Sequence, residues 1–414
     1  MNGRFQRAAC SGKILGRVVA TTLVAASLVG LFNAGIACAA DNAAASPYQK
    51  WPRGPSTNSD FFPLAVWLQN PAKAEQYRKA GINTYVGLWR GPTEEQLALL
   101  KSADMKVICH QNQLGRRHLD DSTIIGWMHG DEPDNAQSLG QGKGYGPPIL
   151  PEKIVRDYEA IRAADPSRPV FLNLGQGVAW DNYIGRGVRR NHPEDYPEYV
   201  KGCDIASFDI YPAVHEKPDV AGKLWFVAHG VERLVKWSGP ERIVWNCLEC
   251  TRIHHPQKKA TPHQVRGEAW MSVIHGSRGL IYFVHEWEPR FNESALLSDP
   301  AMLAAVTALN RQITSLAPVL NSPTVSIGVS VQPDKAEVPI AVLTKRHENS
   351  LYLFAVGMRE GKTTATFTIP KLPGEKTVTV LDENRMITSR DGVFRDTFES
   401  WDVHLYRIDA IGGR

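Results

Sequence analysis

Cysteine is scarce, with six in 414 residues. Two of them, Cys10 and Cys38, lie in the apolar N-terminal segment, which leaves Cys109, Cys203, Cys247 and Cys250. Those sit in apolar runs spread along a long chain, which excludes a small disulfide-stapled framework. Cys247-x-x-Cys250 lacks a second pair to complete a zinc site, so buried free thiols are expected. Charge of one sign is missing as well. The formal net charge is +4, and Arg4, Arg7, Lys13 and Arg17 account for it. The remainder is neutral, which excludes a global electrostatic signature for nucleic acid or membrane surfaces. No glycine-rich nucleotide loop follows the first strand candidate, where Trp67-Leu68-Gln69-Asn70 stands; that disfavours an open dinucleotide-binding sheet. No His-x-His closes that strand either, which disfavours a metal-dependent barrel hydrolase.

One apolar run is present, from Val18 to Phe32, behind a basic start and ahead of Ala37-Cys38-Ala39. This pattern reads as a secretory signal over 1–39, so the expected location is periplasmic or extracellular, without a membrane span after cleavage. Lipid attachment at Cys38 is a weaker reading, because Gly35 stands where a lipobox has Leu. Residues 40–59 are expected to form a flexible N-terminal segment.

From residue 60 short apolar runs alternate with helical patterns. Strands are expected at 64–69, 82–89, 106–111, 124–130, 170–174, 204–210, 242–249 and 280–285. Helices are expected at 72–79, 93–102, 151–164, 223–237, 262–275 and 299–315. Eight units over about 250 residues predict an α/β fold, a closed (β/α)8 TIM barrel over 60–319. After Leu320 helical patterns stop. Short alternating runs at 325–331, 340–344, 351–357, 364–369, 377–381 and 403–407 predict a small antiparallel β-sandwich over 320–414.

Barrel enzymes build their sites at the C-terminal ends of the strands. Those ends carry Trp67, Gln69, Trp89, His110, Gln111, Asp131, Glu132, Asn173, Asp209, Tyr211, Glu249, His285, Glu286 and Trp287. Carboxylates, amides and indoles in one place suit a sugar: aromatic faces stack on pyranose rings, while acids and amides bind hydroxyls. Glycosidic cleavage needs two carboxyl groups across one bond. Glu132 and Glu249, on the fourth and seventh strand ends, are the candidate pair. Glu286 and Glu288 are rivals for the second place. Asp134 reads as a helix cap.

The order of these residues resembles the clan A glycoside hydrolases, whose fourth strand commonly ends in Asn-Glu-Pro where this chain has Asp131-Glu132-Pro133. The resemblance implies Glu132 as acid/base and Glu249 as nucleophile in a retaining reaction that needs no cofactor. It implies Tyr211 as the nucleophile's hydrogen-bond partner and Trp287 as the platform under the sugar. Asp131, His110, Trp67, Trp89 and Asn173 are further candidates for substrate contact. The expected partner is an oligo- or polysaccharide, not nucleic acid. A non-catalytic carbohydrate-binding protein on a decayed barrel is the alternative. Asp131 departs from the clan's Asn, since it accepts but cannot donate a hydrogen bond to a sugar hydroxyl.

Overall fold

The computed structural model describes residues 46–409. The expected signal segment and Cys38 lie outside the described residues. Among them, no helix is long and apolar enough to cross a membrane.

Eight parallel strands close into a barrel. They run Leu64–Trp67, Thr84–Val86, Lys106–His110, Ile124–Asp131, Val170–Leu174, Ile205–Phe208, a seventh in two pieces (Ile243–Val244 and Asn246–Glu249), and Leu280–Phe283. The first piece of the seventh strand pairs with the sixth and the second piece pairs with the eighth, which itself pairs with the first. The break at Trp245 thus lets one strand change partners as the sheet closes. Burial on both faces explains the near-continuous apolar runs. The wall carries local irregularity beside the fourth strand, where the register against the fifth shifts between Met128 and Asp131. Such bulges re-aim side chains.

Residues 46–59 correct one expectation, because they pack instead of trailing free. Tyr48 and Trp51 are buried. Tyr48 Oη accepts from Trp245 Nε1 at 2.9 Å and donates to the Arg278 carbonyl at 3.1 Å. The base of the barrel exposes an indole N–H and apolar surface, and this segment covers both.

The C-terminal region is one eight-stranded antiparallel sheet that includes Ile340–His347, Ser350–Gly357, Thr363–Thr368, Glu375–Val380 and Val403–Ile408. Its order places Thr363–Thr368 several strands away from Val403–Ile408, yet Phe367 meets Tyr406 at 5.3 Å between ring centroids. The sheet therefore curls over its own core. Two strands there, Arg385–Arg390 and Val393–Phe398, were not anticipated from the sequence pattern.

Alternation on Ser350–Gly357 joins the two parts. Leu351, Leu353 and Ala355 enter the sheet's own core, whereas Phe354 and Val356 join the core of the barrel. Between them lies the helix Pro262–Ile274, buried on nearly all sides. Trp270 stacks on Phe354 at 5.3 Å. Gly267 permits the close approach, since a Cβ there would stand 3.3 Å from the Cβ of Trp401.

Candidate active site

A cavity of about 470 Å3 opens at the C-terminal ends of the barrel strands. Asp131, Glu132 and Asp209 supply its carboxyl groups. A larger groove, about 660 Å3, runs outside the barrel between the helices Pro262–Ile274 and Pro300–Ser315, and Asp382 is its single acid. Paired-acid chemistry therefore has its place in the barrel mouth.

The fourth strand delivers two of the three acids. Its bulge is followed by Glu132 in the left-handed backbone region, at φ 45°. Its amide is pinned to the Asn173 carbonyl at 2.9 Å. Leu68 and Ile253, also lining the cavity, share that conformation at φ 46° and 56°. A β-branched residue seldom adopts it, and strained backbone of this kind clusters at functional sites.

Glu132 and Asp209 both line this cavity, and the charge of Asp209 acts directly on Glu132. Two neighbouring carboxylates do not both ionise freely. Burial first, and the negative charge of Asp209 and Asp131 second, push Glu132 well above the usual carboxylate range. Burial raises Asp209 to about 7, while the hydrogen bonds from Glu132 and Tyr211 hold it down. Glu132 is accordingly the protonated member and Asp209 the acceptor. Asn173 organises the cluster: its Nδ2 donates to Asp131 Oδ1 at 3.0 Å and to Asp209 Oδ1 at 3.4 Å. Its Oδ1 accepts from Ser207 Oγ at 2.9 Å, which orients the amide. Burial raises Asp131 too, against the hydrogen bond from Asn173.

Aromatic and neutral polar groups form the walls. Trp67, Tyr211, Phe283 and Trp287 supply ring faces, and Gln176 and Tyr183 supply polar tips. His285 is pushed down to about 4 by burial, which keeps its imidazole neutral. Among the described residues, no Lys or Arg lines the cavity. Nearby cations are engaged elsewhere: Arg186 pairs with Asp195 at 2.5 Å, and Asp195 also holds Arg189.

The structure gathers Glu132, Asp131, Asn173, Tyr211, Trp67 and Trp287 in the cavity, but it corrects several other expectations. Glu249 does not line it. Its carboxylate is fully buried and accepts from the amides of Ala213 at 2.6 Å and Val214 at 3.0 Å. The buried carboxyl of Glu268 on the outer helix lies close enough that, after burial, the Glu249 charge raises it well above the usual carboxylate range. Cys247 is the seventh-strand residue that faces the cavity. Strict alternation from Cys247 would aim Glu249 inward as well, but its carboxylate ends up bound to the backbone just past the sixth strand. Tyr211 consequently stands beside Asp209 in the cavity lining, not against Glu249. His110 is solvent-exposed outside the cavity, and Trp89 is 66% exposed on the loop after the second strand. Asp209 and His285 were visible in sequence as strand-end residues, without a role. Asp134 caps no helix; it accepts from the Gly175 amide at 2.9 Å and from Tyr196 Oη at 2.9 Å.

No protein-family model matches the chain, and no curated protein matches it in sequence. Solved structures do match in shape. An α-amylase from Geobacillus thermoleovorans, complexed with acarbose, superposes with a TM-score of 0.51 at 10% identity, over 86% of this chain and 99% of that one. A putative α-galactosidase from Bacteroides fragilis gives 0.49 at 10% identity, over 84% of this chain and 79% of that one. A maltogenic α-amylase from Thermotoga neapolitana gives 0.47 at 10% identity, over 85% and 99%. All three are named for glycosidase activity. The likeness to the first shows the fold, a parallel barrel followed by an antiparallel sheet domain.

Proposed function

We propose that the protein is an O-glycoside hydrolase that works through Glu132 and Asp209. The observation that carries this reading is the placement of Glu132 and Asp209 together, with Asp131, on the floor of an aromatic-walled cavity, where burial raises Glu132. An acid kept protonated near neutral pH beside a carboxylate is the equipment glycosidic cleavage requires. The glycosidase names of proteins with a similar outline agree with it.

In the first step a sugar's glycosidic oxygen replaces Asp209 as the acceptor for the Glu132 proton. That proton transfers as the bond from the anomeric carbon to the leaving oxygen breaks, and the aglycone departs as an alcohol. An Asp209 oxygen bonds to the anomeric carbon. In the second step Glu132, now a carboxylate, takes a proton from water. The water oxygen bonds to the anomeric carbon and Asp209 leaves. Asn173 and Tyr211 hold Asp209 in place and lower its affinity for a proton. Asp131 faces the same space as a hydroxyl acceptor.

The test uses activated aryl glycosides with Glu132→Ala and Asp209→Ala. Turnover should vanish in both and return on adding azide, and NMR of the first wild-type product should show the starting anomer. Full activity in Asp209→Ala would defeat the assignment.

A further inference from the structure

One wall of the cavity does not stop at its rim. Tyr211, beside Asp209 in the cavity lining, meets Phe283 at 5.2 Å between ring centroids. Phe283 stacks on Trp287 at 5.7 Å with 19° between planes, and Trp287 stacks on His254 at 4.5 Å with 23°. Trp287 then meets Phe291 at 5.9 Å. Aromatic surface thus runs unbroken from the carboxyl floor to open solvent, where Phe291 is 63% exposed. Phe291 lies beyond the residues that line the cavity.

This wall is stiff. The loop after the eighth strand closes as a hairpin, with the Glu286 amide on the Asn292 carbonyl at 3.0 Å and the reverse bond at 2.7 Å. It is also tied sideways, since the Trp287 amide donates to the Ile253 carbonyl at 2.7 Å. A floppy loop would lose entropy on gripping a ligand; a braced one has that cost already met in folding.

Exposed large apolar side chains are concentrated on this end of the molecule. Trp89, Tyr145 and Ile184 stand on other loops that follow barrel strands, at 66%, 76% and 55% exposure. Scattered apolar residues are ordinary on a surface, but aromatic faces continuous with a cavity mark a binding surface.

We infer that Phe291, together with Trp287 and His254 at the cavity rim, forms a second sugar subsite at the mouth of the cavity, so that the substrate is an oligo- or polysaccharide chain and not a small glycoside. The inference rests on the glycosidase reading above. One ring of the chain sits over the carboxyl pair, and the next leaves the cavity with its apolar C–H face on this wall. The chain is free of carboxylates, because Asp131, Glu132 and Asp209 face the cavity without a lysine or arginine among its lining residues.

The test compares wild type with Phe291→Ala, a change at an exposed side chain that leaves the fold intact. KM for neutral hexasaccharides should rise roughly tenfold, about the value of one aromatic contact. Hydrolysis of an aryl monoglycoside should stay within about twofold of wild type, as that ligand is too short to reach the wall. A second arm measures binding by calorimetry in Glu132→Gln, with cello-, manno-, xylo- and malto-hexaose and an oligogalacturonate. One or more neutral hexasaccharides should bind in a manner that depends on Phe291, and the oligogalacturonate should not. Binding that is blind to Phe291, or absent across the neutral panel, overturns the subsite. So does a Phe291-dependent dimer in sedimentation that sugar leaves unchanged. Phe291-dependent binding without any turnover by wild type would keep the subsite and defeat the carboxyl mechanism instead.

Discussion

The barrel holds two carboxyl pairs, one open and one sealed. Glu132 and Asp209 stand together beneath a cavity; Glu249 and Glu268 stand together where neither side chain is exposed at all. Burial raises the affinity for protons in both pairs, Asp209 and Glu249 each to about 7. Paired buried acids by themselves therefore do not mark a reactive centre. Access separates the two cases. A sugar oxygen can reach Glu132, whereas nothing can enter between Glu249 and Glu268. The sealed pair has a different use: Glu249 grips the amides of Ala213 and Val214, just past Asp209 and Tyr211 in sequence. It ties the segment behind the open pair to the seventh strand.

Amide substitution should separate the pairs most sharply. Glu132→Gln or Asp209→Asn is expected to lower kcat on an activated glycoside by on the order of a thousandfold or more, with thermal unfolding little changed. Assays across an aryl-glycoside panel, with calorimetry alongside, would show it. Loss of folding without loss of specific activity would invert the comparison.

Glu249→Ala should show the opposite balance. Two buried amides lose their acceptor and Glu268 loses its partner, a destabilisation of about 2–4 kcal/mol. Urea unfolding reads the loss, and amide exchange at Ala213 and Val214 should quicken. Some activity should be lost through the loosened Asp209 segment, and azide should restore none of it. Azide rescue in this variant would return Glu249 to the reacting centre.

The pH dependence has a definite direction. Raised pKa values mean that the folded protein retains protons that the unfolded chain releases. The contribution of Glu249 is complete below its ordinary 4.5 and is lost as pH rises through about 7. Glu268 moves the same way. Stability should thus decline between about pH 4.5 and 7, and Glu268→Gln, which keeps a donor without a titrating proton, should flatten that slope. Melting temperatures across the range would test this; an unchanged slope would exclude the sealed pair as its source. Activity should fall separately as pH drops below about 7, where Asp209 takes up a proton, and again at higher pH where Glu132 gives up its own.

Local patterns in sequence foretold much of the frame. The strand Val170–Leu174 and the helix Pro151–Ala164 appear at the expected bounds. The strands 385–390 and 393–398 escaped notice because their polar positions carry ion pairs, as between Arg385 and Asp396 at 2.7 Å, which blurs apolar alternation. Glu132 was legible because acids crowd a strand end at Asp131-Glu132-Pro133-Asp134. Its left-handed backbone was not, since nothing in the residue type requires it. Asp209 stood in plain view between Phe208 and Ile210, yet its partnership arises only when the fourth and sixth strands meet through Asn173. The Glu249 placement failed for a related reason. Alternation fixes where a side chain starts, but the backbone past the sixth strand decided where the carboxylate ends.

The buried helix Pro262–Ile274 changes what the C-terminal region is to the rest of the chain. In sequence that region looks like an appendage joined at residue 320. In space it roofs the helix that carries Glu268, with Phe354 on Trp270 and Trp401 on Gly267. A gene trimmed at that junction would yield a barrel with a bare apolar flank. The two parts are thus expected to be inherited, and engineered, as one piece.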